Sequence, residues 1–87
     1  MANVYDLTPA DSRKSFYGKA KVIFCDGARY LLSYETIMGS IDAQGKWHKY
    51  SDHYSATTNR HVIAFFGDNK RFWDLPLEQK PNISVTL

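Results

Sequence analysis

One cysteine, three prolines and five glycines are all that this 87-residue chain contains of those residue types, and each shortage excludes something. The lone Cys25 rules out an internal disulfide, so a cross-linked secreted scaffold is excluded and a reducing compartment is expected. The glycines form neither a Walker loop nor a Gly-rich dinucleotide turn, and no cysteine pair is present for zinc. Long hydrophobic runs are missing as well. The longest, Val62–Phe66, falls far short of the ~20 residues needed to span a bilayer. Met1–Asp6 lacks a basic stretch followed by an apolar one, so no signal peptide is read and the bacterial cytoplasm or a comparable interior is the expected location. Nor is there much net charge. The formal value is only +2, which excludes an acidic mimic of DNA.

What the chain does have is apolar and aromatic mass. Hydrophobic residues make up 44% and aromatics 15%, and each Tyr, Phe or Trp can bury ~150–250 Å². The length gives one domain, 1–87. It divides into an N-terminal arm (1–14), a sheet-plus-helix core (15–66) and a C-terminal tail (67–87).

Residues 15–50 alternate with period two, the pattern of antiparallel strands. Phe16, Gly18, Ala20, Val22 and Phe24 form one face, toward the core, and Tyr17, Lys19, Lys21, Ile23 and Cys25 the other. A second strand, Arg29 to Ile41, places Tyr30, Leu32, Tyr34, Thr36 and Met38 on one side. Asp26-Gly27 between them is a hairpin signal. A three-residue loop, Cys25-Asp26-Gly27, keeps both even-numbered faces together by pairing Val22 with Tyr30 and Ala20 with Leu32. A two-residue loop pairs Val22 with Leu31. The three-residue register is the expected one, because a slip of one residue turns an entire face over. A second turn, Asp42–Gly45, leads into a third strand, Lys46–Tyr50.

Residues 55–66 then read as a helix. Ser55 or Thr57 supplies the N-cap, Thr58, Val62, Phe65 and Phe66 make one apolar stripe, and Gly67 is the stop. A helix of about three turns is marginal alone and must pack on the sheet. In the tail, Phe72, Trp73, Leu75 and Leu77 are too apolar for a free linker, so part of it is expected to cover the sheet or meet a partner. Pro76 and Pro81 prevent one continuous helix there, and Ile83–Leu87 alternates like an edge strand. The expected fold class is α+β: a small antiparallel sheet of three or more strands, in meander order, packed against one short helix and followed by a C-terminal tail.

Little in the sequence points to catalysis. Cys25 sits at a hairpin turn with no evident base, and His48, Asp52 and His53 match no metal-ligand spacing. No catalytic residue, metal or cofactor is expected. The start of the helix is richer, because free N–H groups and the positive dipole end there attract anions. Thr57, Thr58, Arg60 and His61 are placed to surround a phosphate or an acidic side chain, or else to cap the helix and face solvent. Arg13, Lys14, Lys19, Lys21 and Arg29 form a basic stretch broken only by Asp26. It reads either as solvated strand faces or as a footprint for nucleic acid or an acidic protein surface. Tyr17, Tyr34, Trp47, Tyr50 and Tyr54 offer stacking surfaces for single-stranded nucleic acid, or simply fill the core and its rim. The candidate binding residues are Lys19, Lys21, Tyr34, Trp47, Tyr54, Thr57, Thr58, Arg60 and His61.

Three phrases occur in order: Lys14-Ser15-Phe16-Tyr17-Gly18-Lys19-Ala20, Ser33-Tyr34-Glu35-Thr36 and Tyr54-Ser55-Ala56-Thr57-Thr58-Asn59-Arg60-His61-Val62, the last followed by Phe65 or Phe66. Together they resemble a family of small uncharacterised proteins encoded by phages, plasmids and mobile elements of Gram-positive and gut bacteria. In that family a KSFYGKA strand, an SYxT strand and an SATTxRHIxxF helix follow one another. The resemblance covers about residues 14–66, and the tail after Gly67 is longer than the family pattern. It implies a genetic setting and a compact sheet-plus-helix unit, but no activity. Small phage accessory proteins without catalytic equipment usually act by binding. The expected function is therefore a non-catalytic inhibitor of a host defence complex, of the anti-CRISPR or another anti-defence type. Its partner would be a host protein or ribonucleoprotein, and it would be a monomer or homodimer with no membrane association. Two alternatives stand beside it. One is a small nucleic-acid-binding module using Lys19, Lys21, Lys46, Lys49 and Arg60. The other is a nucleotide-binding protein using the helix start.

Overall fold

The computed structural model describes residues 3–7 and 19–81. Five strands, β1 (Asn3–Asp6), β2 (Ala20–Cys25), β3 (Ala28–Ser33), β4 (Thr36–Ile41) and β5 (Trp47–Lys49), form one antiparallel sheet in the order β1-β2-β3-β4-β5. Two helices follow, α1 (Ala56–Phe66) and α2 (Asn69–Trp73). Both lie on one face of the sheet, α1 against β3 and α2 against β5. The fold is the α+β meander expected. Among the described residues no helix is long and apolar enough to cross a membrane.

The β2–β3 hairpin corrects the expected register. Val22 pairs with Leu31, Phe24 with Arg29 and Cys25 with Ala28, so the loop has two residues. Asp26 and Gly27 both adopt left-handed backbone, at φ 53° and 82°, as a type I′ hairpin turn requires. A three-residue loop would be favoured only if β2 buried one face alone. In fact both Val22 and Ile23 are buried. The two-residue register still pairs like with like, Val22 with Leu31 under the helices and Ile23 with Tyr30 on the far face. Phe24, read as core, is instead 42% exposed.

The expected second strand is two strands. The chain turns at Tyr34-Glu35 between β3 and β4, so Tyr34 belongs to a turn and not to a strand face. Leu31 pairs with Gly39 but Leu32 with Ile37, which makes Met38 the extra residue of a bulge. The bulge brings Met38 to the helix side, where it joins Leu31, Val62, Phe66 and Phe72 in the core. The alternation of Tyr30, Leu32 and Met38 on a common face is thereby overturned. The third strand is as read, and its turn is tied by Asp42, whose Oδ1 accepts the backbone N–H groups of Gln44 and Lys46 at 2.9 Å each.

Asn3–Asp6, read as part of an arm, is β1. The tail also does more than cover a surface. It contains α2, whose Phe72 is fully buried and whose Trp73 donates from Nε1 to Asn59 Oδ1 at 2.9 Å. Leu77 then bridges to Lys49, and the Glu78 N–H donates to the Lys49 carbonyl at 2.8 Å, capping the outer edge of β5. The expected positions Phe16, Tyr17 and Gly18, and the Ile83–Leu87 strand, lie outside the described residues.

Helix α1 begins and ends where its sequence says. Ser55 has extended backbone, and its Oγ accepts the Thr58 N–H at 3.0 Å. Gly67, at φ 86°, donates its N–H to the Ile63 carbonyl. Thr58, His61, Val62 and Phe66 are the buried stripe, with Phe65 only partly covered. Replacing Ser55 by alanine removes the cap and is expected to cost about 1 kcal/mol. A thermal melt should then shift down by about 4–8 °C. An unchanged melting temperature would mean that the start of α1 is held by other contacts.

Candidate functional site

The turn at Tyr34, the segment 51–55 and the start of α1 enclose a pocket of about 450 Å³. Its wall carries the hydroxyl residues Ser33, Thr36, Ser51, Ser55 and Thr58, with buried Met38 as the apolar part. Tyr34, His53 and Lys80 complete the lining. Among the described lining residues there is no carboxylate. Asp52, next in the chain to two of them, is turned to Lys49, with 2.5 Å between Nζ and Oδ1.

The back of this pocket is a run of hydrogen-bonded side chains. Ser55 Oγ donates to Thr58 Oγ1 at 2.9 Å. Thr58 Oγ1 lies 3.5 Å from Ser33 Oγ, and Ser33 Oγ lies 2.7 Å from His61 Nδ1. Either hydroxyl of the Thr58–Ser33 pair can donate, and the proton between Ser33 and Nδ1 sits on the hydroxyl or on the ring according to the His61 tautomer. Burial first, and the charge of Arg60 second, hold the His61 pKa below its ordinary value, which favours the neutral imidazole. The serine–imidazole pair has the contact a nucleophile and base would need. However, the neighbouring Tyr34 N–H is committed to the Lys19 carbonyl at 2.6 Å and is not available to stabilise an oxyanion. The pair ties β3 to α1.

Tyr34 is the conformational oddity of the site. It is a non-glycine residue at φ 57°, a region that a bulky side chain enters at a cost of order 1 kcal/mol. Even so, the residue is 48% exposed. One flank lies toward His61, at 5.8 Å between centroids, and Lys19 Nζ sits 5.9 Å from the ring. The strained backbone therefore holds an aromatic surface at the pocket mouth.

The remaining candidates divide. Tyr54 is exposed and packs edge-on against Trp73, and Thr57 and Arg60 are exposed. Thr58 and His61 are buried, so their reading as surface ligands is corrected, although Thr58 remains part of the pocket wall. Trp47 is half-buried. It packs on Phe66 at 4.9 Å, while the Arg71 guanidinium covers its ring at 3.9 Å. Lys21 is paired with Asp6 at 2.7 Å. Lys49, a candidate for nucleic acid, is buried with Nζ on the Trp73 carbonyl at 2.8 Å. Sequence reasoning missed Ser33, Thr36, Ser51, His53 and Lys80. The Ser-Tyr-Glu-Thr phrase was a usable signal, since it places small polar residues on both sides of a tight turn.

On the opposite face, His48 bridges two acids. Nε2 meets Asp42 Oδ2 at 2.9 Å, and Nδ1 meets Glu78 Oε2 at 2.8 Å. The two nitrogens point to opposite sides of the ring, so the three groups do not converge on a common ion. Among the described residues no set of three His, Cys, Asp or Glu is placed to hold a metal. The chain matches a family model, described as a family of unknown function (DUF8033), over residues 5–79.

The chain belongs to the DUF8033 family. No curated protein and no solved structure matches it.

In this DUF8033 protein the two described histidines with shifted titration oppose each other. The hydrogen bond to Asp42, helped by Glu78 and opposed by burial, raises the His48 pKa. Its contribution to stability is therefore complete below the ordinary His value and fades as pH rises through the raised value. His61 has the opposite sign. Its lowered pKa means that stability is present above the ordinary His value and fades as pH falls through it toward the depressed one. Replacing His48 by glutamine should leave only the His61 slope. Urea midpoints should then rise as pH climbs toward the ordinary His value and level off above it, whereas the parent protein peaks near that value and falls again on the alkaline side. A His48→Gln profile that still falls toward alkaline pH would refute the bridge.

Proposed function

We propose that this protein works by binding and not by catalysis, as a phage or mobile-element accessory protein that docks on a host defence complex and inhibits it. The family resemblance of the Lys14–Phe66 segment supplies the genetic setting. The observation that carries the reading is Tyr34, a half-exposed aromatic held at positive φ at the mouth of a pocket. Strain of that kind persists where surrounding structure over-determines it and tends to collect at functional positions. Tyrosines with large rigid rings and a polar tip are also frequent energetic centres of protein interfaces. Exposed Tyr54, preceding the α1 cap, supplies a second such ring.

The nucleic-acid alternative has less support. Of its five basic residues, Lys21 is engaged by Asp6 and Lys49 is buried against Trp73 and Asp52. A continuous basic stripe along the backbone of a strand would need such side chains free.

The test has two arms. Expression of the protein in a host carrying an active nuclease defence is expected to restore phage plating, and tagged protein is expected to recover the defence complex from lysate. Tyr34→Asn with Tyr54→Ala should abolish both effects without unfolding the chain, because Asn tolerates positive φ. Failure to restore plating on any defence-bearing host, together with recovery of no host complex, would overturn the proposal.

A further inference from the structure

The pocket beside Tyr34 also has a chemistry of its own. Ser55 Oγ donates to Thr58 Oγ1, and Thr58 and Ser33 are tied to each other and to His61, so these three hydroxyls form a polar back wall. Further donors facing the cavity come from elsewhere. Lys80 and His53 bring basic side chains, and Thr36 brings a hydroxyl. Ser51 Oγ accepts the His53 N–H at 3.1 Å, which leaves its own proton for a guest. With no carboxylate among the described lining residues, and with Asp52 turned away to Lys49, the cavity favours negative charge.

Size and shape narrow the guest further. A volume of about 450 Å³ is much more than a bare phosphate fills and lies within the ~300–1,000 Å³ range of small-molecule sites. The exposed ring of Tyr34 at the mouth and the apolar side of Met38 within suit a flat, partly apolar body attached to the anion.

We propose that this pocket binds a nucleoside monophosphate or a phosphate ester of similar size. Lys80 and His53 hold the phosphate, Ser51 and Thr36 donate to it or to the sugar, and the base lies against Tyr34. The inference goes beyond the inhibitor reading and does not depend on it, since the pocket would take its ligand whether or not a host complex is ever recovered.

The experiment is a titration of the folded protein, followed by its amide chemical shifts, with four probes: adenosine monophosphate, adenosine, ribose 5-phosphate and inorganic phosphate. Saturable shifts clustered at residues 33–36, 51–55 and 58 are expected with adenosine monophosphate. Adenosine and inorganic phosphate should each bind at least about tenfold more weakly, because a charge-assisted contact or a base stack is then missing. Lys80→Met and Tyr34→Asn should each weaken the nucleotide by about tenfold, while Lys46→Met, in the remote β4–β5 turn, should leave it unchanged. Unchanged spectra for the variants away from the substituted position show that they fold. Absence of saturable shifts at millimolar nucleotide would overturn the site. Adenosine binding as tightly as its phosphate would overturn the anion assignment. Ribose 5-phosphate binding as tightly as the nucleotide would remove the base from the account.

Discussion

Phe72→Ala is expected to destabilise the protein by about 3–5 kcal/mol, the usual cost of emptying a buried aromatic position. Phe72 is completely buried. Its ring lies 4.6 Å from that of Phe66 and 5.0 Å from that of Trp73, and it roofs Gly39. Truncation removes the only fully buried described side chain of α2, a five-residue helix that cannot persist unaided. Domains of this size have total stabilities at the low end of about 5–15 kcal/mol, so a substantial unfolded fraction should appear at ambient temperature. Urea denaturation followed by tryptophan fluorescence measures the loss. A change of less than about 1 kcal/mol would show that α2 is not part of the cooperative unit.

Gly39→Ala should also be damaging, though less so than the Phe72 truncation, and it adds only one methyl group. A Cβ at Gly39 runs into the His48 backbone carbonyl and lies 2.6 Å from a Phe72 ring carbon and 3.1 Å from Phe66. Alanine gains about 0.5–1 kcal/mol from the reduced freedom of the unfolded chain. Overpacking costs about 1–3 kcal/mol, and here part of the clash is with backbone that is paired in the sheet, so the cost wins. Combined with Phe72→Ala, the two losses should add to less than their sum, because the ring collision disappears while the carbonyl collision remains. Strict additivity would mean that the sheet shifts away and the two positions never meet.

How far the sequence could be read follows from the same positions. Helix α1 was largely legible: Ser55 is one of the two expected caps, Thr58, Val62 and Phe66 are on the buried stripe and Gly67 is the stop, while Phe65 gives up its expected place to His61. The meander was legible from Asp26-Gly27 and Asp42–Gly45. The faces were not, because a two-sided sheet buries Val22 and Ile23 alike and alternation no longer separates core from surface. The bulge at Met38 broke the period without leaving a mark such as a proline. Helix α2 was hidden by its length, since five residues are too few to show a period. The pocket escaped for another reason. Ser33, Ser51, Ser55 and Lys80 are ordinary polar residues from separate stretches, and only the folded chain brings them together.

The neighbour-to-neighbour strand order carries one more consequence, for synthesis. Each hairpin from β2 to β5 needs only chain that has already been made, so those strands can zip as the polypeptide leaves the ribosome. Their greasy underside gains its lid only when Phe66 and Phe72 emerge, after the last strand. Nascent chains halted before Phe72 should therefore be the sticky, chaperone-dependent species.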